Sequence, residues 1–369
     1  MGFGDLFDEP NVEDEKRDLP ILRSLIERYA RQRPFEGAPI VFGHLYVWNS
    51  IPLIEALVRG GAHLILADAH PSPAAIPVRE RLEYHGLPVL PVDQAVRSGE
   101  WFLDVAAVLG RARTPRGAAE VTRTGILHYA RIACPVVSAD DCRAKLIEGF
   151  YGTGEGFLRA WRQLRPDDPL AGKRLVLFGY GKIGRGVAHR ARSAGVSVTV
   201  ADTDSAARER ARGEGFAAVD GRASPDLQAR LAAADVVVAV TGRPGILSRD
   251  LPPDWFRQAR PVLVNLGAED EFGPAFDEHE ILGGRDLPLN FHLARPTENR
   301  YVDAPLAAHL LALEALLADP AAFPPGIHPL PPTMDAWVVD AWRRAWPEED
   351  LTGIGAELGL SERPARRDV

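Results

Sequence analysis

Residues 173–202, KRLVLFGYGKIGRGVAHRARSAGVSVTVAD, constrain this chain more than any other stretch. An apolar run at 175–178 is long enough for a buried strand. Gly179-Tyr180-Gly181-Lys182-Ile183-Gly184 follows as a G-x-G-x-x-G turn, with a further glycine at Gly186. Residues 182–194 fit a helix that Gly195 ends, and 196–201 read as a second buried strand closing on Asp202. Each part suits a dinucleotide. Gly179 permits a tight turn, Gly181 lets the backbone approach a pyrophosphate, and Gly184 lets helix and strand pack closely. The helix start at Lys182 and Ile183 offers free N–H groups and the positive end of its dipole to phosphates. Asp202, about twenty residues on, accepts hydrogen bonds from a ribose and repels a 2′-phosphate, which favours NAD over NADP. Glycines also mark ordinary turns, but here strand, glycines, helix, strand and acid fall in order.

The rest of the chain repeats the alternation. Strands are expected at 39–43, 62–67, 87–90, 101–109 and 135–138, with helices at 19–31, 50–59 and about 74–84. After Asp202 come a turn at Asp220, a helix at 227–234, and strands at 236–241 and 261–266. Alternating strands and helices predict parallel α/β sheets. At 369 residues two domains are expected. They are a substrate-binding α/β domain over 1–165, completed by C-terminal helices over 305–346, and a Rossmann NAD-binding domain over 166–304. A hinge is expected at 165–172, a rigid connector at 324–332, and a loosely held tail over 347–369. Residues 1–18 read as a mobile arm or a surface helix.

Composition narrows the partners. A net charge of −8 with no basic block argues against nucleic acid and anionic membranes. No apolar run of membrane-spanning length is expected, and the acidic start is neither a signal nor a transit peptide. Cys134 and Cys142 fit a reducing cytoplasm as small buried hydrophobes and give no metal-site spacing.

Several residues stand where chemistry is carried out. His44 follows the strand at 39–43, at the carboxyl end where open α/β sheets put ligands, although a histidine bonded within the fold would look the same. Tyr46 and Trp48 would form a pocket wall or core. Asp104, inside an apolar run, is either partnered or functional. Asp141, Lys145 and Glu148 share a helix face, as a surface ion pair or as a catalytic lysine held by acids. Thr241 and Gly242 end one strand and Asn265 another, so both ends should face the dinucleotide.

GHLYVWNSIPLIEALVRGGA, EVTRTG, LVLFGYGKIGRG, VADTD, VAVTG, VNLG and PPGIHPLPPTMDAWVVDAW occur in that order, and with them the chain resembles the S-adenosylhomocysteine hydrolase superfamily from about Phe42 to Trp346. The resemblance implies a tightly held, recycled NAD and a nucleoside substrate oxidised at its 3′-hydroxyl. The C4′ proton is then removed, the 5′ substituent leaves, and the ketone is reduced again. It also implies roles for individual residues. His44 matches the histidine acting near the 5′ group, Lys145 lies within one residue of the lysine activating the 3′-hydroxyl, and Glu148 replaces a nearby aspartate. Asp104 is a loose match to the C4′ base. Thr122, Arg123 and Thr124 stand where three threonines line the nicotinamide. Asn290 matches the asparagine that holds the carboxamide, and His292, a further catalytic candidate, follows it.

The departures are specific. Val121 replaces a glutamate, Ala268 a histidine, and Tyr46 and Trp48 replace adenine-side residues. The Gly-Gly-Asp after the base aspartate is missing, and so is the Lys…Tyr tail that reaches a neighbour's cofactor. The expectation is an NAD-dependent, redox-neutral nucleoside-modifying enzyme and homo-oligomer, dimer or tetramer. Its reaction would be a 4′,5′-dehydration of the kind used in angustmycin-type antibiotic biosynthesis. The alternatives are S-adenosylhomocysteine hydrolysis at a divergent site, a non-catalytic NAD-binding homologue, and a plain 2-hydroxy-acid dehydrogenase.

Overall fold

The computed structural model describes residues 3–72, 75–285 and 287–360. The chain divides into two compact units: Met1–Ile147 together with Asn299–Val369, and Glu148–Glu298.

The first unit is built on a seven-stranded parallel sheet. Its strands are β1 (Pro39–Gly43), β2 (His63–Ala67), β3 (Val89–Leu90), β4 (Trp101–Asp104), β5 (Gly117–Glu120), β6 (Pro135–Ser138) and β12 (Gly326–Pro329). They lie in the order β12-β6-β5-β4-β1-β2-β3, so the direction of strand addition reverses between β1 and β4. Register aligns Gly43 with Asp104, Asp104 with Glu120, and Glu120 with Ser138, so four carboxyl ends form one row. Parallel strands covered on both faces read as continuous apolar runs, and Ile40, Val41, Phe42, Phe102 and Leu103 are all fully buried.

The second unit holds β7 (Arg174–Phe178), β8 (Ser197–Asp202), β9 (Ala217–Asp220), β10 (Val236–Ala239) and β11 (Val262–Asn265). They are parallel in the order β11-β10-β7-β8-β9, the doubly wound Rossmann arrangement with its reversal between β7 and β10. The fold class is therefore α/β throughout, with one such sheet in each unit.

Several expectations are corrected. The expected strand at 101–109 stops at Asp104, because the Asp104 carboxylate accepts the N–H groups of Val105, Leu109 and Gly110 at 2.9, 3.2 and 3.0 Å and folds the chain back on itself. The connector at 324–332 contains strand β12, paired with β6 at the sheet edge, where proline is tolerated. β5 and β9 were not anticipated, since GAAE and AAVD carry no β-branched pattern. Helix Thr153–Leu164 belongs to the second unit, where Phe157, Ala160 and Trp161 join the core formed by Leu175, Leu177 and Val200. The chain consequently passes between units at 147–148 and 298–299, not at the expected hinge.

The tail is docked as far as residue 360. Leu351, Ile354 and Leu358 are buried, and Arg143 donates to the Leu358 carbonyl at 3.0 Å. The remainder of the expected tail, 361–369, lies outside the described residues, as does the expected helix start near Ala74. Residues 3–17 form two helices, Phe3–Phe7 and Pro10–Arg17, anchored by buried Leu6, Phe7 and Val12. Helix Asn299–Ala318 is long and apolar enough to cross a membrane, contrary to expectation, but 78% of its apolar window is buried, the position of a core helix. Neither cysteine is in a disulfide among the described residues, and both are buried.

Beyond β4 the backbone is strained. Ala106 and Ala107 have φ of 58° and 52°, a region side chains avoid. Glu120, buried on β5, holds them there. Its carboxylate accepts the N–H groups of Ala106, Ala107, Val121 and Thr122 at 3.1, 2.9, 2.9 and 2.8 Å, and the Thr122 hydroxyl at 2.7 Å. Glu120→Gln keeps the shape but turns an amide donor toward backbone donors. Denaturant unfolding should show a loss of about 3 kcal/mol; a loss within the noise of a surface substitution would mean that Glu120 does not hold the turn.

Candidate active site

In the second unit a cavity of about 710 Å³ opens at the carboxyl ends of β7, β8 and β10, lined by Gly179, Gly181, Asp202, Arg222, Thr241 and Leu251 among others. Gly179 has φ +96°, and a Cβ there would fall 2.5 Å from the Val240 carbonyl oxygen. A Cβ on Gly184 would meet the carbonyl of Gly179, and one on Gly186 that of Phe150. By contrast, a Cβ on Gly181 would meet nothing within 4 Å, so the need for glycine there comes from outside the fold. Helix Lys182–Ser193 starts at this loop with Lys182 and Ile183 in its first turn. Asp202 Oδ2 accepts the Tyr180 N–H at 2.7 Å and Oδ1 the Asp204 N–H at 2.9 Å, leaving one lone pair on each oxygen for a ribose hydroxyl. Asn290 is buried, with Nδ2 donating to the Pro296 carbonyl at 3.2 Å. Its Oδ1 meets no donor among the described residues, the state expected of an acceptor reserved for a ligand amide. These residues fit NAD.

Glu271 was missed by sequence reasoning. Fully buried, it accepts the Thr241 and Gly242 N–H groups at 2.6 and 2.7 Å and the Thr241 hydroxyl at 2.9 Å. Thr241 therefore lines the cavity, and its N–H and that of Gly242 beside it are already engaged. Asn265 is also committed internally, donating to the carbonyls of Glu269 and Arg285 at 3.0 and 2.8 Å. His292 is exposed and packs over Gly283. Arg222 and Arg243, which also line the cavity, carried no sequence signal in so arginine-rich a chain.

In the first unit His44 follows β1 at the reversal point. The Leu45 N–H donates to His44 Nδ1 at 3.0 Å, so the neutral ring carries its hydrogen on Nε2. Burial foremost, then His309, His70 and Lys145, holds its pKa well below the ordinary histidine range. His70, after β2, bonds through Nε2 to the Val105 carbonyl at 3.2 Å, and burial lowers its pKa too. His309, on helix Asn299–Ala318, bonds through Nε2 to the Ala119 carbonyl at 3.0 Å. Its pKa is pulled down to about 4 by burial first and by Lys145 as a lesser cause. Neither His70 nor His309 was predicted.

Asp104 is partnered. Besides its three N–H donors it accepts the Tyr129 hydroxyl at 2.7 Å, so all of its acceptor sites are used and no lone pair is left for a C4′ proton. Tyr46 is core, its hydroxyl on the Ala67 carbonyl at 2.9 Å. Thr122 caps helix Arg123–Tyr129 through the Gly125 N–H and gives its own hydrogen to Glu120, with Thr124 beside it at 3.4 Å. Arg123 is exposed, 3.9 Å from Asp141. Asp141 precedes helix Arg143–Ile147, and a π-turn begins at Glu148, so the expected shared α-helical face of Asp141, Lys145 and Glu148 does not form.

A sequence model described as the S-adenosyl-L-homocysteine hydrolase NAD-binding domain matches residues 150–271. An adenosylhomocysteinase of Nostoc sp. is 26% identical over 382 residues, covering 88% of this chain and 87% of the relative. An S-inosyl-L-homocysteine hydrolase of Methanopyrus kandleri is 29% identical over 228 residues, covering 52% of each. Through these matches the chain is similar to the S-adenosylhomocysteine hydrolase superfamily, at 26–29% identity. NAD is its cofactor. Among solved structures, a dipicolinate synthase from Bacillus halodurans superposes with a TM-score of 0.47 at 13% identity, covering 77% of this chain and 98% of the other. The superfamily's glycine loop and strand-end acid are intact here. Its glutamate before the threonines is a buried valine, Val121, and its histidine after the Asn-x-Gly is exposed Ala268.

Gly181→Val should leave thermal unfolding unchanged while weakening NAD binding at least about tenfold by calorimetry, because the added side chain fills only ligand space. Equal NAD affinity would remove the pyrophosphate from this loop.

His309 also gives a pH dependence. Its pKa is about 4 when folded and ~6.5 when unfolded, so the unfolded chain takes up the proton first. Its contribution to stability is complete above pH ~6.5 and is lost as pH falls toward the folded pKa, by up to about 3 kcal/mol. Denaturant unfolding across that window should show a smaller acid loss in His309→Leu than in the wild type; equal losses would contradict the assignment.

Proposed function

We propose that this chain is an NAD-dependent, redox-neutral nucleoside-modifying enzyme, and specifically a nucleoside 4′,5′-dehydratase. The observation that carries the reading is His44 at the reversal point of its sheet, a neutral ring with its hydrogen on Nε2. Around it lie Lys145 and two further neutral histidines. The dinucleotide loop of the superfamily is kept, whereas Val121 and Ala268 stand where it has a glutamate and a histidine. That pattern keeps the redox half and rebuilds the surroundings of the sugar.

Bound NAD would take a hydride from C3′ and return it at the end. The chain's own groups do the rest. The 3′-hydroxyl proton passes to water as the hydride leaves and is taken back from water when the ketone is reduced, and the Lys145 charge stabilises negative charge developing on the 3′ oxygen, in the alkoxide and again when C4′ is deprotonated beside the ketone. A ribose C4′–H becomes acidic only once that carbonyl is adjacent. Asp104 has no lone pair to spare for it. His70 has: with Nε2 on the Val105 carbonyl, Nδ1 is a neutral base. The imidazolium so formed delivers the same proton to the departing 5′ oxygen, and the cluster ends with the proton count it began with. His44 donates from Nε2 to that oxygen and orients it.

Mass spectrometry on NAD-loaded protein with S-adenosylhomocysteine, adenosine and psicofuranosyl adenine tests this. The expected outcome is loss of one water from a 5′-hydroxyl nucleoside without net NADH. Release of homocysteine would instead make it a hydrolase. No change in any substrate, with NAD bound, would sink the dehydratase reading for these nucleosides.

A further inference from the structure

His309 has a buried nitrogen that the fold does not use. The residue is 0% exposed, midway along an apolar helix where leucine would pack without a polar atom. Its Nε2 lies 3.0 Å from the Ala119 carbonyl. A carbonyl only accepts, so Nε2 carries the hydrogen and Nδ1 is left as an acceptor. That Nδ1 meets no donor among the described residues. A buried acceptor left unpaired is a standing cost to the folded state, and one present in a site calls for a ligand that pairs it.

His44 supplies the complement. Its Nδ1 is taken by the Leu45 N–H, so its Nε2 is a donor. The two rings lie 5.9 Å apart, centre to centre. With nitrogens on the ring perimeters, this is longer than a direct N–H···N bond allows, and nitrogens turned toward each other at this separation fall within the span of one bridging oxygen. A hydroxyl accepts from His44 and donates to His309 at once. A thioether sulfur has no hydrogen to give and accepts weakly, and an ammonium cannot accept at all. The Lys145 charge, felt by both rings, further disfavours a cation.

We propose that His44 and His309 form a clamp for a single hydroxyl, and that His309 makes the site select a nucleoside bearing a 5′-hydroxyl over one bearing a 5′-thioether. The 5′ assignment rests on the nucleoside reading above; the hydroxyl preference rests on the two rings alone.

The test is calorimetry on the NAD-loaded protein with adenosine and 5′-deoxyadenosine, which differ only in that hydroxyl. The wild type should prefer adenosine by about five- to a hundredfold, the range of one buried hydrogen-bond partner. His309→Leu should abolish the preference, and His309→Asn, which keeps an acceptor near the Nδ1 position, should retain part of it. Unchanged NAD affinity and a retained cooperative thermal transition report that the variants fold. Equal wild-type affinities, or a preference that survives in His309→Leu, would overturn the clamp. Exchange of the C4′ hydrogen into heavy water separates the two readings. A hydroxyl preference without exchange keeps the clamp and sinks the nucleoside chemistry, and exchange without the preference does the reverse. Binding of neither nucleoside by the wild type overturns both.

Discussion

In a parallel sheet every crossover leaves from a carboxyl end, and where the order of strand addition reverses the two crossovers depart to opposite faces. The gap between them is the one place where strand ends stay uncovered. Both sheets here have such a reversal, between β1 and β4 and between β7 and β10. His44 follows one of them, and the glycine loop with Asp202 and Thr241 surrounds the other. The register of the first sheet sharpens the effect, because Gly43, Asp104, Glu120 and Ser138 end in one row.

Strand ends left uncovered have N–H groups to satisfy, and in this chain acids do it. Asp104 and Glu120 between them take seven backbone N–H groups and two hydroxyls around the turn after β4. Burial raises the pKa of both, and the Asp104 charge adds to the rise at Glu120, while those donors act the other way. Glu271 does the same work for the turn after β10, and Asp303 for the start of helix Pro20–Gln32, accepting the Ile21 and Leu22 N–H groups at 2.8 and 2.9 Å. A buried carboxylate surrounded by N–H donors is a structural part, however much its position in the sequence suggests a catalyst.

This explains what was legible and what was not. The glycine loop reads well because each glycine answers a steric demand, and the Val-rich strands β8 and β10 because burial on both faces leaves a continuous apolar run. β5 and β12 were invisible, since Gly-Ala-Ala-Glu and Gly-Ile-His-Pro owe their conformation to the strands beside them. The acid at 104 was visible, but its role was not, because the role is set by Tyr129 and by amides whose positions only the turn defines. The lysine at 145 was read on a helix face that the π-turn at Glu148 interrupts. His309 was hidden for the opposite reason: it stands in a helix so apolar that its sequence announces only core.

The electrostatics of the histidine group follow from its crowding. Three imidazoles and an ammonium cannot all be charged in a buried space, and the group costing least to neutralise gives way first. Here the histidines yield: burial lowers all three, and Lys145 adds to the lowering at His44 and His309. Neutral imidazole is amphoteric, with one donor and one acceptor, and the backbone decides which nitrogen plays each part. Leu45 spends the acceptor of His44, while Ala119 and Val105 spend the donors of His309 and His70. Three identical side chains thus become one donor and two acceptors through three main-chain contacts. The chemistry of the gap is therefore fixed by the strand ends themselves, and altering any one of those contacts would change which ligand atoms it could receive.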